Sequence, residues 1–366
     1  VNVNKAVVSS VGAITAANAT DVKVNIDTKV VAGTEQTTFA NTLTADKAKT
    51  ITVDSKGQLN SATIAAAEAT TATITAGSTA VAADVLVLNA AKLNTLNITA
   101  KQDFALTGST LTKVQNMTVD TTKAFTMGAV ALADAATVTV SGTASTSSAT
   151  FGALGTATTQ THATNLTATG LKAGLTTGAI NAGTSSSTIN VSGVTGNVTL
   201  AAITADAGIT LTATNLGGNL ANGAAALTTT TGKIDVDVSN AKGTVALGAL
   251  TTNGSGDVTL NASSTVGAVT TGVITGNNVT INGQGALGTV VVGTGLGNGA
   301  ATDVIAKTSV TYTGTNIADN GIDIATHADS TAVTATLNGG ANNETFTIAG
   351  NTKQTGITVT GNLGAG

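Results

Sequence analysis

The 366-residue chain is expected to be all-β, a parallel β-helix of stacked coils, on three observations. Apolar residues alternate with polar ones, as Ile234, Val236 and Val238 do with Asp235, Asp237 and Ser239, the period of two that buries one face of a strand. Segments of this kind recur about every 21 to 24 residues in the C-terminal half, a spacing typical of solenoids. The composition suits a narrow core: 43 Gly, five Phe, one Tyr, and no Pro, Cys or Trp. A mean hydropathy of +0.31 still provides surface to bury, mostly as Val, Ile, Leu and Ala, and sets the chain apart from a disordered one.

Taken in order, residues 1–145 are expected to be a β-rich region of less regular repeats. Strand candidates are "KTITVD" (Lys49 to Asp54), "TATITA" (Thr71 to Ala76), "DVLVLNA" (Asp84 to Ala90) and "TLNITA" (Thr95 to Ala100). "DFALTG" (Asp103 to Gly108), "NMTVD" (Asn116 to Asp120) and "TVTVSG" (Thr137 to Gly142) continue the series. "SATIAAAEAT" (Ser61 to Thr70) and "AVALADAAT" (Ala129 to Thr137) read either as short helices or as strands carrying alanine. The small-residue stretch Ser141 to Asn165 is the candidate boundary, so residues 146–366 are taken as a β-solenoid.

The repeats are clearest from Ser187 to Gly299. "STINVSGVTGNVTL", "GITLTATNLGGNL", "GKIDVDVSNAKGTVAL", "GDVTLNASSTVGAV" and "NNVTINGQGALGTVVV" each open with a strand, turn through Gly or Asn, and give a second strand about ten residues later. Stacked coils place the Asn and Gly turns above one another. Asn-Gly pairs at Asn222, Asn253, Asn282 and Asn338 are also hairpin signals, so an antiparallel sandwich is the competing arrangement.

Charge excludes some classes. All fifteen cations are lysine, ten of them between Lys5 and Lys123, and the net charge is −4. Nucleic-acid binding, which favours a basic, Arg-bearing face, is not expected. No apolar run approaches the ~18 residues of a membrane span. Without Cys there is neither disulfide nor thiolate metal site. The chain opens at Val1 with no signal peptide, which reads as a mature or excised piece.

"NMTVDTT", "GDVTLNAS" and above all "NGGANNETFTIAG" (Asn338 to Gly350) carry a family resemblance. Against the calcium-binding nonapeptide G-G-x-G-x-D-x-U-x, Gly339 and Gly340 fit, Asn342 stands for the third Gly, Glu344 for Asp, and Phe346 fills the large apolar position. The chain resembles the surface-layer proteins of Gram-negative bacteria, exported by type I secretion and carrying RTX-type calcium repeats. The resemblance implies a secreted structural subunit of a two-dimensional lattice on the cell surface. It implies assembly with Ca²⁺ and other copies of the chain, and an anchor on lipopolysaccharide through a region outside these residues.

Calcium prefers several oxygen ligands. The residues singled out are Asp319, Asn320, Asp323 and Asp329 in "IADNGIDIATHAD", with Asn342, Asn343 and Glu344 nearby in sequence. Asp235 and Asp237, two apart on one strand, offer a ledge on its outer face. The competing reading is that these acids are solvated charges that keep strand edges soluble. His162 and His327, the only two imidazoles, are read as surface residues, and no catalytic role is expected because no nucleophile motif accompanies them. Two further functions stay open: a filamentous-haemagglutinin-like adhesin passenger, and an ice-binding protein using Thr-x-Thr ladders, which needs strict Thr registry on one flat face.

Overall fold

The computed structural model describes residues 2–3, 12–26, 38–77, 83–130, 136–155, 162–223, 225–253, 255–293, 302–315, 320–339 and 344–362. Among them every regular element is a strand, every assigned strand pairing is parallel, and no helix is long and apolar enough to cross a membrane. The parallel pairing favours stacked coils over hairpins, since adjacent strands in sequence never pair antiparallel here. Contacts divide the chain into two compact units, Val1–Gly178 and Ala179–Gly366.

In the N-terminal unit each coil contributes one strand to a long-stranded sheet and one to a short-stranded sheet. The first runs through Asp21–Ile26, Thr50–Ser55, Thr71–Ala76, Thr95–Ala100, Asn116–Thr121, Ala136–Gly142 and Thr164–Thr169. The second runs through Thr42–Thr44, Ala62–Ala65, Asp84–Asn89, Phe104–Leu106, Ala124–Met127, Ser148–Phe151 and Gly174–Thr177. All seven strand candidates of this region are strands to within two residues at either end. From Thr50 to Thr71, Thr95, Asn116 and Thr137 the register advances by 21, 24, 21 and 21 residues. The longer step that follows, Thr137 to Asn165, leaves the strands in register, so added residues are taken up in the turn.

The alternative helix at Ser61–Thr70 is a strand, Ala62–Ala65, and then a turn. Ala62 and Ile64 face inward at 0 % exposure, and Thr63 and Ala65 face outward, a period of two that burial imposes over alanine's helix propensity. Of Ala129–Thr137, residues 131–135 lie outside the described residues, and Ala136 begins a strand.

In the C-terminal unit most coils have three strands. One side holds Ser186–Ser192, Gly208–Thr212, Lys233–Asp237, Val258–Asn261, Ile274–Asn282, Val304–Thr313, Ala332–Asn338 and Gly356–Asn362. A second holds Asn197–Leu200, Leu220–Ala221, Val245–Ala246, Val269–Thr271 and Val290–Val292. A third holds the short strands Ile180–Asn181, Ile203–Thr204, Leu227–Thr229 and Leu250–Thr252, joined by the first part of Ile274–Asn282. This third side was not foreseen; a two-residue strand is too short to display a period.

The core is thin and layered. Ile234, Val236 and Val238 are at most 1 % exposed, between Ile209 and Leu211 of one coil and Val258 and Leu260 of the next. Phe104, Phe125 and Phe151 pack in series along the short-stranded sheet, the first pair stacked and the second edge-to-face, with ring centroids 6.1 and 5.6 Å apart.

Glycine closes one corner of the C-terminal unit. A Cβ on Gly218 would lie 2.4 Å from the Gly196 carbonyl oxygen, one on Gly267 2.1 Å from that of Gly243, and one on Gly288 2.3 Å from that of Gly267. Only residues without a side chain let the coils stack there. At another corner Asn215, Asn240 and Ser264 hold φ between 55° and 58°, and Gly285 holds 71°, so a left-handed turn repeats coil after coil.

Candidate functional site

The outward residues of the long strands form columns, one residue per coil, about 4.8 Å apart. In the N-terminal unit a central column runs Thr52, Thr73, Asn97, Thr118, Thr139 and Thr167. In the C-terminal unit its counterpart runs Thr210, Asp235, Thr259, Thr280, Thr311 and Thr336. These columns arise because β-branched Thr suits a pleated surface while its hydroxyl stays in water. The pairing within these columns holds although coil lengths vary, and the one register shift along them, between Gly276 and Asn278, precedes Thr280.

The neighbouring column is tied by side-chain hydrogen bonds. Asn261 Nδ2 donates to Asp237 Oδ1 at 3.1 Å, and Asn282 Nδ2 donates to Asn261 Oδ1 at 3.2 Å. Each of these side chains also accepts the N–H two residues on: Ser239 to Asp237 at 3.0 Å, Ser263 to Asn261 at 3.2 Å and Gln284 to Asn282 at 3.0 Å. The ladder thus caps the strand end and turns the chain, the local role for which Asp and Asn suit turns.

This accounts for Asp235 and Asp237. Both face outward from Lys233–Asp237, half-buried, as read from the alternation. Asp235 pairs with Lys233 on the same strand, and its carboxylate pushes the Lys233 ammonium pKa up. Asp237 stands where the next coils carry Asn, with one oxygen engaged twice.

The late acids are dispersed. Asp323, in Asn320–Thr326, is 4 % exposed, and its N–H donates to Oδ2 of the fully buried Asp303 one coil away, at 3.0 Å. Asp329 lies on an exposed turn, 3.1 Å from Lys353 and 4.0 Å from His327, and the Lys353 ammonium holds its carboxyl below the usual range. His327 is half-buried; its Nδ1 accepts the Asp329 N–H at 3.2 Å. His162 is exposed. Backbone register pairs Asn320 with Glu344, so the two acidic segments that are separate in sequence run on neighbouring rungs. Asp319, Asn342 and Asn343 lie outside the described residues. Among the described residues no group of three or more His, Asp or Glu side chains gathers as a metal cluster.

A second charged group escaped the sequence reading. Glu68 bridges Lys49 at 3.1 Å and Lys92, one coil to either side, and these ammonium groups lower its pKa. Spacings of 19 and 24 residues, close to one coil, were the available signal.

Comparison with known proteins finds no matching family model, no similar curated protein and no similar solved structure.

Proposed function

We propose that this chain is a structural subunit of a bacterial surface layer, a secreted protein whose copies assemble into a two-dimensional lattice on the cell surface with Ca²⁺. The observation that carries the reading is the register of the outward Thr and Asn columns, which gives each unit a regular and sparsely charged sheet face. Such a face orders few side chains on contact, so docking costs little entropy. In the C-terminal unit the long strands stack in eight rungs, which make a face of roughly 700 Å² at about 4.8 Å per rung and 3.3 Å per residue. That is close to the ~800 Å² per partner of a standard stable pair. In an array, repeated contacts of this size act together.

Calcium enters through net charge and the late acidic segments. Copies of a chain with net charge −4 repel, and a divalent ion between carboxylates removes that repulsion. The segments we assign to it are the two late acidic ones, whose strands Asn320–Thr326 and Glu344–Ala349 run on neighbouring rungs, with Asp323 left out because it is turned inward beside Asp303. Lipopolysaccharide is the proposed anchor, through a region beyond these residues. Light scattering during a Ca²⁺ titration, followed by EDTA, tests this. Assembly that reverses in chelator supports it, assembly that persists removes the calcium role, and no assembly at any concentration removes the lattice.

One observation favours a second reading, ice binding. The Thr columns, interrupted at Asn97 and Asp235, keep their pairing although coil lengths vary, which is part of what that reading requires. Thermal hysteresis in dilute solution would support it, and freezing at the buffer's equilibrium point would end it.

A further inference from the structure

One corner of the N-terminal unit is closed by side chains standing in for backbone acceptors. Asp84 Oδ1 accepts the Leu59 N–H at 2.7 Å, Asp103 Oδ1 accepts the Ala124 N–H at 3.1 Å, and Ser147 Oγ accepts the Lys172 N–H at 3.2 Å. Asp103 is exposed and Ser147 is neutral. Asp84 is different: it is 0 % exposed, on the same inward face of Asp84–Asn89 as Leu86 and Leu88. Its second oxygen, Oδ2, is buried without a hydrogen-bond partner.

An ionised carboxylate in that position has only neutral donors, the Leu59 N–H and the Gln102 amide, to offset its loss of water. The elements packed against it are Gln58–Leu59 and Phe104–Leu106 with the turn before it. They bring the neutral Gln102 beside it, and the charged Lys101 and Asp103 nearby have exposed side chains. Among the described residues no charged group acts on the Asp84 carboxyl; the influences on it are burial first, then hydrogen bonds from the Leu59 N–H and the Gln102 side chain.

We propose that Asp84 is a proton-binding site built into the N-terminal unit, which holds its coils more firmly when Asp84 is the neutral acid. The neutral form keeps Oδ1 as acceptor for Leu59 and removes the buried charge. Burial pushes this carboxyl up from 3.8 to about 6, so the site takes up its proton in mildly acidic medium. The folded form binds the proton more tightly than the unfolded one. Its contribution is therefore fully present below the unfolded value near 4, declines as pH rises to about 6, and is absent above. This inference rests on the fold alone and is independent of any lattice.

The test is thermal unfolding of the full chain, followed by circular dichroism from pH 4.5 to 8, for the natural protein and Asp84→Asn. The amide keeps an acceptor for Leu59 and cannot ionise. The difference between the two midpoints is expected to move in favour of the natural protein by on the order of 5 °C as pH falls from 7.5 to 4.5. A difference that stays constant with pH overturns the proposal. Carbon-13 titration of the Asp84 carboxyl in the natural protein supplies a measurement that needs no variant: a midpoint near 6 supports the site, and one near 4 overturns it.

Discussion

The α-carbon of Gly243 sits over Gly218 so closely that a Cβ there would lie 2.3 Å from the Gly218 carbonyl oxygen and 2.5 Å from its carbonyl carbon. The contact is with backbone, which no rotamer change relieves. Gly243→Ala is therefore expected to force two coils apart and to destabilise the C-terminal unit by about 2–4 kcal/mol. Urea unfolding checks this against Gly223→Ala. Gly223 has open space at its Cβ position and only the cost of a φ of 63°.

Asn261 holds its neighbours above and below. Asn261→Ala removes its bond to Asp237, the one from Asn282 and the acceptor for Ser263, and is expected to cost about 1–3 kcal/mol. Asp237→Asn keeps an acceptor for Ser239 and a rung of the same shape, so its unfolding midpoint is expected to stay within a degree or two of the natural protein. If Asp235 and Asp237 hold Ca²⁺, the same variant would weaken calcium-dependent assembly, which light scattering would report.

Phe125 packs between Phe104 and Phe151 at the centre of the aromatic stack and is 0 % exposed. Phe125→Ala leaves a void between two rings that cannot both close on it. The expected loss is about 3–5 kcal/mol in the N-terminal unit, measured by denaturant unfolding.

Glu68, between Lys49 and Lys92, titrates with the opposite sign to Asp84. Its lowered pKa means that any stabilisation is present at neutral pH and lost as pH falls through the carboxylate range. Both lysines are largely in water and Glu68 is partly so, and Glu68→Gln is expected to leave the melting midpoint unchanged at about 0.15 M salt. A clear drop that disappears at high salt would show that the bridge matters.

Much of the architecture was legible because one rule, apolar at every second position, acts along each long strand. Ile234, Val236 and Val238 declared their buried face, and of the Asn residues after successive first strands Asn261 and Asn282 do stack in one ladder, whereas its next rung is Asp237 and Asn240 belongs to the left-handed turn three residues on. The limits of that signal are equally physical. Ile203–Thr204 and Leu250–Thr252 are too short to carry a period. In "DVLVLN" both phases are apolar apart from Asp84 and Asn89, so the sequence did not say that Asp84 shares the inner face with Leu86. Gly218, Gly243 and Gly267 read as turn residues, yet their role is contact between coils, a relation between positions one whole coil apart. The late acids were grouped by nearness in sequence. Folding puts Asp323 in the interior beside Asp303 and leaves Asp329 on an exposed turn, while stacking pairs Asn320 with Glu344.

Electron microscopy of the purified chain, with Ca²⁺ and then with EDTA, bears most directly on the surface-layer reading. Ordered two-dimensional sheets in calcium that disperse in chelator are the predicted result. Separate, unassociated particles under both conditions would contradict it.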